Sequence, residues 1–331
     1  MGTPLDIEEQ LTHPRSPLRS VLIHSILYPR TGPSTFILDQ KDEHGQLFGL
    51  AQMRNRLGRP EQDVVFMAPT LEAGNGNHAI WQRMLAHLCV QTAERGNFSL
   101  YASLPINSEE YQLFKNVGFL EYSQEDVFQL GSQPLPQPAS SPVSLAISLR
   151  SQQPSDGWGL QNLYALLTPR QVQNAEGLAQ GQWASGRRNW AEPGRREGYV
   201  WQEKGEILGA IHLHSGKRGC WIRALLHPSV LDQAQELAQA ALGIAARKNP
   251  HVPIYFALRQ YEIGWRSTLL DLGFEPLTTQ VLVVKPMAVR INDKIPVRLS
   301  TLEKTPSEGA ATSAISRAEF AETKPTPSNS H

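Results

Sequence analysis

The order of elements between residues 44 and 119 is written a second time between residues 204 and 274. HGQLFGLAQMR is answered by KGEILGAIHLH, VVFMAP by WIRALLHP, and the periodic run from His78 to Arg95 by LDQAQELAQAALGIAARK. Further on, SLYASLP is answered by PIYFALRQ, and EEYQLFKNVGF by YEIGWRSTLLDLGF. A repeat this long is one fold written twice, because solenoid units run to only about 20 to 45 residues. The chain is therefore bound to build two copies of a strand, turn, long helix, strand and second helix.

Local chemistry supports each piece. VVFMAP is a β-branched and apolar run closed by Pro69, which has no N–H to continue a ladder. Gly74-Asn75-Gly76-Asn77 supplies the turn, with Asn77 suited to cap the helix that follows. Ile80, Trp81, Met84, Leu85 and Leu88 recur at three- and four-residue spacing, the stripe of an amphipathic helix laid on a sheet. Thr35–Asp39 and QLFGLAQMR predict a hairpin ahead of this unit. Both copies end alike, at Gly118-Phe119 and Gly273-Phe274, where glycine closes a helix and the phenylalanine enters the core. A strand, a glycine turn and a helix N-terminus in that order aim unbonded N–H groups at a place where an anion could sit.

Between the copies, GSQPLPQPASSP cannot bury a core and predicts a semi-extended linker. The expected organisation is a first domain over 1–130, a linker over 131–142, a second domain over 143–290 and a disordered tail over 291–331. Residues 1–20, with Pro4, Pro14 and Pro17, read as a surface run, and Leu18–Tyr28 as a short helix. In the second domain SLAISL predicts a strand, residues 160–167 a helix, and Val172–Leu178 a second helical piece. Arg54, Arg56 and Arg59 read as a solvated basic turn, with a phosphate contact as the minority reading. Arg187, Arg188, Arg195 and Arg196 read as an exposed loop or a patch for phosphates or an acidic partner.

Lysine plus arginine equal aspartate plus glutamate at 31 each, so no global field draws nucleic acid. Cys89 and Cys220 read as small buried hydrophobes, with no metal cluster and a reducing compartment. The absence of an apolar run of span length, and of a leader-like N-terminus, predicts no membrane partner and a cytoplasmic protein.

Hairpin, strand, glycine turn, long helix, strand and a helix ending in Gly-Phe resemble the GNAT acetyltransferase superfamily, over roughly residues 35–130 and 143–288. The resemblance implies an α+β fold of two GNAT-like domains. Each would have a mostly antiparallel sheet with one splayed parallel pair, flanked by helices. It further implies acetyl-CoA as co-substrate and direct transfer to an amine, carried by a small molecule or a peptide, within a ternary complex. The protein would be a monomer or homodimer. The family's pyrophosphate loop is matched by the glycines of Leu71–Gly76 and not by their leading residue. Met67, Ala68, Gly74, Asn75, Gly76, Asn77, Asn107 and Phe114 are then the cofactor-binding positions, with Met67 and Ala68 pairing with the pantetheine arm.

The family's proton-donating tyrosine is replaced by Phe114 in one copy and Leu269 in the other, which leaves Tyr111, Tyr122 and Asn107 as catalytic candidates. Glu72, Glu109 and Glu110 are candidate bases in the first half; His212, His214 and His227 are candidates in the second. The second copy's loop, His227–Asp232, has no glycine and sets Asp232 at a helix start, so CoA is expected in the first copy only. Ser229 is its expected helix cap. The alternative is a non-catalytic module of this fold that senses CoA or binds a protein.

Overall fold

A computed structural model describes residues 2–14, 34–42, 45–56, 59–71, 77–131, 147–177 and 194–287. The helix expected at Leu18–Tyr28, the loop Glu72–Gly76, Arg187, Arg188, most of the linker and the tail lie outside these residues. The first half comprises β1 (Thr3–Pro4), α1 (Ile7–Thr12), β2 (Ser34–Asp42), β3 (Gly45–Asn55), β4 (Glu61–Ala68), α2 (Asn77–Glu94), β5 (Ser99–Pro105), α3 (Glu109–Asn116) and β6 (Leu120–Leu130). The second comprises β7 (Leu149–Ser151), α4 (Gly157–Leu167), α5 (Arg170–Glu176), β8 (Arg195–Glu203), β9 (Glu206–Ser215) and β10 (Cys220–Leu226). A short 3-10 helix (Pro228–Gln233), α6 (Ala234–Lys248), β11 (Ile254–Arg259), α7 (Trp265–Asp271) and β12 (Phe274–Pro286) complete it.

Among the described residues these strands make one mixed sheet, in the order β2-β3-β4-β5-β12-β6-β11-β10-β9-β8-β7, with β1 added on β4. The halves are joined by exchange. The last strand of the second half, β12, pairs with β5 of the first, while β6 of the first pairs with β11 of the second. β6 and β12 also pair antiparallel with each other, from Phe274↔Leu130 to Val284↔Leu120. Among the described residues two pairs are parallel, β4–β5 and β10–β11, and each holds for three residues before the strands part. These are the two splays that the resemblance implies, one per half.

Alternation along the strands sorts the helices. On one face, Leu100, Ala102 and Leu104 of β5 meet Ile80, Trp81, Met84, Leu85 and Leu88 of α2, and β10 and β11 meet α6 and α7 in the same way. Each such apolar side chain taken from water stabilises the fold by roughly 1.5 to 3 kcal/mol. Close approach of α2 needs Gly49, where an added Cβ would lie 2.5 Å from Met84 Sδ and 2.7 Å from Ile80 Cγ2. Gly118 and Gly273 adopt φ of +93° and +85°, closing α3 and α7, and Phe119 and Phe274 behind them are each 2% exposed. The repeated Gly-Phe thus performs the same task in both halves.

The other face carries α1, α4 and α5. Here the N-terminal segment departs from the expected surface run. Asp6 caps α1 by accepting the Glu9 N–H at 2.9 Å, and Ile7 and Leu11, four apart on one side, pack on Val127, Trp221, Tyr255 and Ala257. Nor are the arginines at the end of β3 and just beyond it solvated. Arg54 donates to Asp6 at 2.6 Å and Glu9 at 2.9 Å, Arg56 to Asp63 at 2.7 Å over the Tyr101 ring, and Arg59 to Glu61 at 2.7 Å and the Glu176 carbonyl. Arg56 and Arg59 take carboxylates of the strand that follows, whereas Arg54 reaches two from the N-terminal segment, which a count of local charge cannot reveal. The strand expected in SLAISL lies later, at Leu149–Ser151, where the chain first pairs with β8. Cys220 is buried in β10, and Cys89 is half-buried on α2.

Candidate functional site

The first splay opens after Asp63↔Tyr101. Beyond it, β3 holds one edge of β4, with Ala51 opposite Met67 and Gln52 opposite Phe66. The other edge, which β5 has left, is taken by the chain's own N-terminus: Thr3 pairs with Met67, Pro4 with Phe66, and the Leu5 N–H donates to the Val65 carbonyl at 2.9 Å. Met67, expected to pair with a pantetheine arm, is therefore paired with Thr3. Leu5 is buried in the same apolar cluster as Leu71 and Trp81.

Of the other described residues singled out in this half, Phe114 and Tyr111 share one apolar cluster and Tyr122 lies in another. Phe114 is buried, with its ring centroid 6.4 Å from that of Trp81 and 4.7 Å from that of Phe119. Tyr111 donates its hydroxyl to the Glu121 carboxylate at 2.6 Å. Tyr122 belongs to the opposite face, where it meets Tyr101 edge-on at 6.2 Å beside Val172 of α5, and burial pushes its hydroxyl pKa up. Asn107 is exposed at φ +62°, and the Asn77 amide donates to the Thr70 carbonyl at 2.6 Å. Glu109 lies 3.5 Å from His78, and Glu110 sits beside it in the first turn of α3. Glu72, Gly74, Asn75 and Gly76 lie outside the described residues.

The second splay opens after Ile222↔Phe256. The Cys220 N–H donates to Pro253 on the β11 side at 2.9 Å, while the His227 N–H donates to Leu208 on the β9 side at 2.7 Å. Residues two apart share an edge, so the backbone groups of Ala224 and Leu226 point into the splay. Among the described residues no strand pairs with that edge beyond Ile222. Alongside lies a polar cavity of about 20 Å³, lined by Tyr164, Glu176, His212, Arg223, Ala224, Leu225, Tyr261 and Glu262. That is room for about one water.

Its wall is a network of charges held by four strands and two helices. Arg259 on β11 faces Glu125 of β6 in register, with Nε 3.1 Å from the carboxylate, and donates through Nη2 to Glu176 of α5 at 2.9 Å. Glu125 also lies 3.3 Å from Arg223 of β10. Tyr164 of α4 donates to Glu176 at 2.6 Å. Burial opposes the Glu176 charge, yet Arg259 and the Tyr164 hydroxyl outweigh it and hold the carboxyl below its ordinary range. Glu262 accepts the Arg259 N–H at 2.8 Å, and burial, only partly offset by Arg223, pushes its pKa up to about 7. Burial, with Arg223 and Arg196 adding to it, brings His212 down to about 4, so its ring is neutral at pH 7. Tyr261 is pushed up to about 12, again by burial, and keeps its proton there.

The remaining candidates stand around this site. His214, two residues along β9, meets the Glu8 carboxylate at 2.7 Å, and Arg196 meets it at 2.9 Å. Arg195 pairs with Glu197 at 2.5 Å. His227 caps the 3-10 helix, its Nδ1 accepting the Ser229 N–H at 3.2 Å, so the cap stands two residues before the expected Ser229. Sequence reasoning passed over Arg223, Arg259, Glu176 and Glu262. A signal existed in the lone arginines of WIRALLHP and IYFALRQ, since a charge inside an apolar strand must find a buried partner.

No family model matches the sequence, and no curated protein is similar to it in sequence. In fold, the chain is similar to a GCN5-related N-acetyltransferase from Sphaerobacter thermophilus, with 14% identity and a TM-score of 0.50 over 80% of this chain and 84% of that one. It is similar also to a tandem GNAT protein from the clavulanic acid biosynthesis pathway, with 16% identity and a TM-score of 0.47 over 86% and 98%. A GCN5-related N-acetyltransferase from Kribbella flavida gives 11% identity and a TM-score of 0.45 over 81% and 96%. At such identities likeness speaks for fold alone. With its mixed sheet, its splayed parallel pairs and the Sphaerobacter likeness, the chain has the α+β fold of the GNAT acetyltransferases.

Proposed function

We propose that this protein is an acetyl-CoA-dependent N-acetyltransferase whose working site is the second splay. The observation that carries the reading is the contrast at the two strand edges. Among the described residues the edge of Ala224 and Leu226 carries no strand and has a polar cavity beside it, whereas the corresponding edge of β4 is paired with β1. The two features that speak against the second copy, a loop without glycine and Asp232 at its helix start, both concern the pyrophosphate. It leaves the strand edge untouched.

Acetyl-CoA supplies an acyl thioester, whose acyl carbon becomes bonded to the acceptor nitrogen as its bond to sulfur breaks. Ala224 and Leu226 offer backbone donors and acceptors to an extended amide-bearing arm, as a neighbouring strand would. The polar cavity has the size of an ammonium group, and Glu262 at its wall, pushed up to about 7, is matched to taking the proton an attacking amine must lose. Tyr261, adjacent in sequence and protonated at neutral pH, is the group suited to give a proton to the departing sulfur. Arg259 fixes the Glu262 carboxylate through its backbone N–H, and Glu176 in turn holds the Arg259 side chain. α4 and α5, which carry Tyr164 and Glu176, stand where they would shape the acceptor pocket.

The test is thiol release from acetyl-CoA in the presence of a panel of primary amines and amino-terminal peptides, for the wild type and Glu262→Gln. Amine-dependent release that falls about 100-fold or more in the variant, with acetyl-CoA binding retained, sustains the reading. Equal rates in both would remove Glu262 as base. Failure of the wild type to bind acetyl-CoA would leave the non-catalytic, protein-binding alternative.

A further inference from the structure

We infer that the first splay is a strand-addition site whose ligand is residues 2–12 of this same chain, so that one chain takes one CoA thioester and not two. The single equivalent rests on the second-half reading proposed above; the occupancy of the first splay does not.

Three sets of contacts hold the segment. Along the backbone, β1 lies antiparallel on the β4 edge that β5 vacates, in the register Thr3↔Met67 and Pro4↔Phe66 with Leu5 bonded to Val65. Those are the groups an extended pantetheine arm would need. Among side chains, Leu5 is 4% exposed, and an added Cβ on Gly2 would fall 2.2 Å from Phe66 Cζ and 2.8 Å from Ala68 Cβ. The fit at the strand's start is thus close enough to demand glycine. Beyond the strand, Arg54 holds Asp6 and Glu9. Ile7 and Leu11 cover Trp221 and Tyr255, and Glu8 meets His214 and Arg196.

A two-residue pairing is too short to persist alone. What secures it is that the same segment is anchored on both halves. For a thioester to enter the first splay, β1 must leave β4, which releases the Arg54 clamp and uncovers Trp221. The filled splay therefore acts as a fastener between the halves, and the two copies have divided the labour: one groove for the chain itself, one for the cofactor.

Acetyl-CoA is titrated calorimetrically into the full chain, into Leu5→Asp and into a variant lacking residues 2–12, while hydrogen exchange follows the Met67 amide. Expected are one equivalent in the full chain and two in each variant whose Met67 amide exchange is accelerated about tenfold or more. Two equivalents in the full chain, or an uncovered Met67 edge that takes up no second equivalent, would overturn the inference. No binding by the full chain, with one equivalent in an opened variant, would sustain the fastener while removing the second-half site.

Discussion

The two splays begin from the same strand geometry and end with different surroundings. In each, a parallel pair holds for three residues and then parts, leaving one strand edge to be satisfied. On β4 that edge receives Thr3–Leu5, beside a core of Leu71 and Trp81. On β10 it lies beside a cavity lined by Arg223, Tyr261 and Glu262, with Arg259 and two carboxylates behind them. The same contrast appears in the residue that follows each parallel pair: Val64 on β4 and Arg223 on β10. Copies of one fold can thus diverge at the splay, because packing constrains the core while the splayed edge is left to carry a strand, as on β4, or to stand beside charged groups, as on β10.

The largest effect expected is on turnover. Glu262→Gln lowers it by about two to four orders of magnitude. In the wild type, kcat/KM rises with pH through about 7, as Glu262 gives up the proton it must lose to act as base, and this limb is absent from the variant. The check is a pH profile of both proteins. Next comes stability. Glu176→Ala leaves Arg259 short of a buried partner and costs about 3 to 5 kcal/mol, read by denaturant unfolding. Glu176→Gln, which keeps the shape and loses the charge, removes an acid limb. A carboxyl depressed in the folded state stabilises above its unfolded pKa near 4.5, and that stability is lost as pH falls through the folded value.

Proline at Ala224 sharpens the contrast further. Its missing N–H points into the splay and not toward β9, so the ladder is spared, while acetyl-CoA binding weakens about tenfold or more in a calorimetric titration. The smallest effect is reserved for a residue that sequence resemblance singled out. Tyr111→Phe loses a hydrogen bond to Glu121 at the surface and leaves turnover unchanged in the same thiol-release assay.

The fold was legible because its signals are local. The stripe from Ile80 to Leu88 and the two Gly-Phe closures each declare an element within a dozen residues, and the repeat repeats them. The exchange of β6 and β12 was not legible, since each strand presents the same alternation whichever half it completes. The site was least legible of all. Glu125, Glu176, Arg223, Arg259 and Glu262 come from five separate elements or loops, and only the folded sheet brings them together. The N-terminal strand and helix were hidden for a different reason: Pro4 and the acidic run Glu8-Glu9 look like surface chain until Arg54 and His214 are seen to answer them.

Hydrogen exchange with and without acetyl-CoA, resolved to single amides, tests the difference between the splays most directly. Slowed exchange at Ala224 and Leu226, with Leu5 and Met67 unchanged, is the expected result. Slowed exchange at Met67 with Leu5 accelerated, and no change at Ala224 and Leu226, would contradict it and return the thioester to the first half.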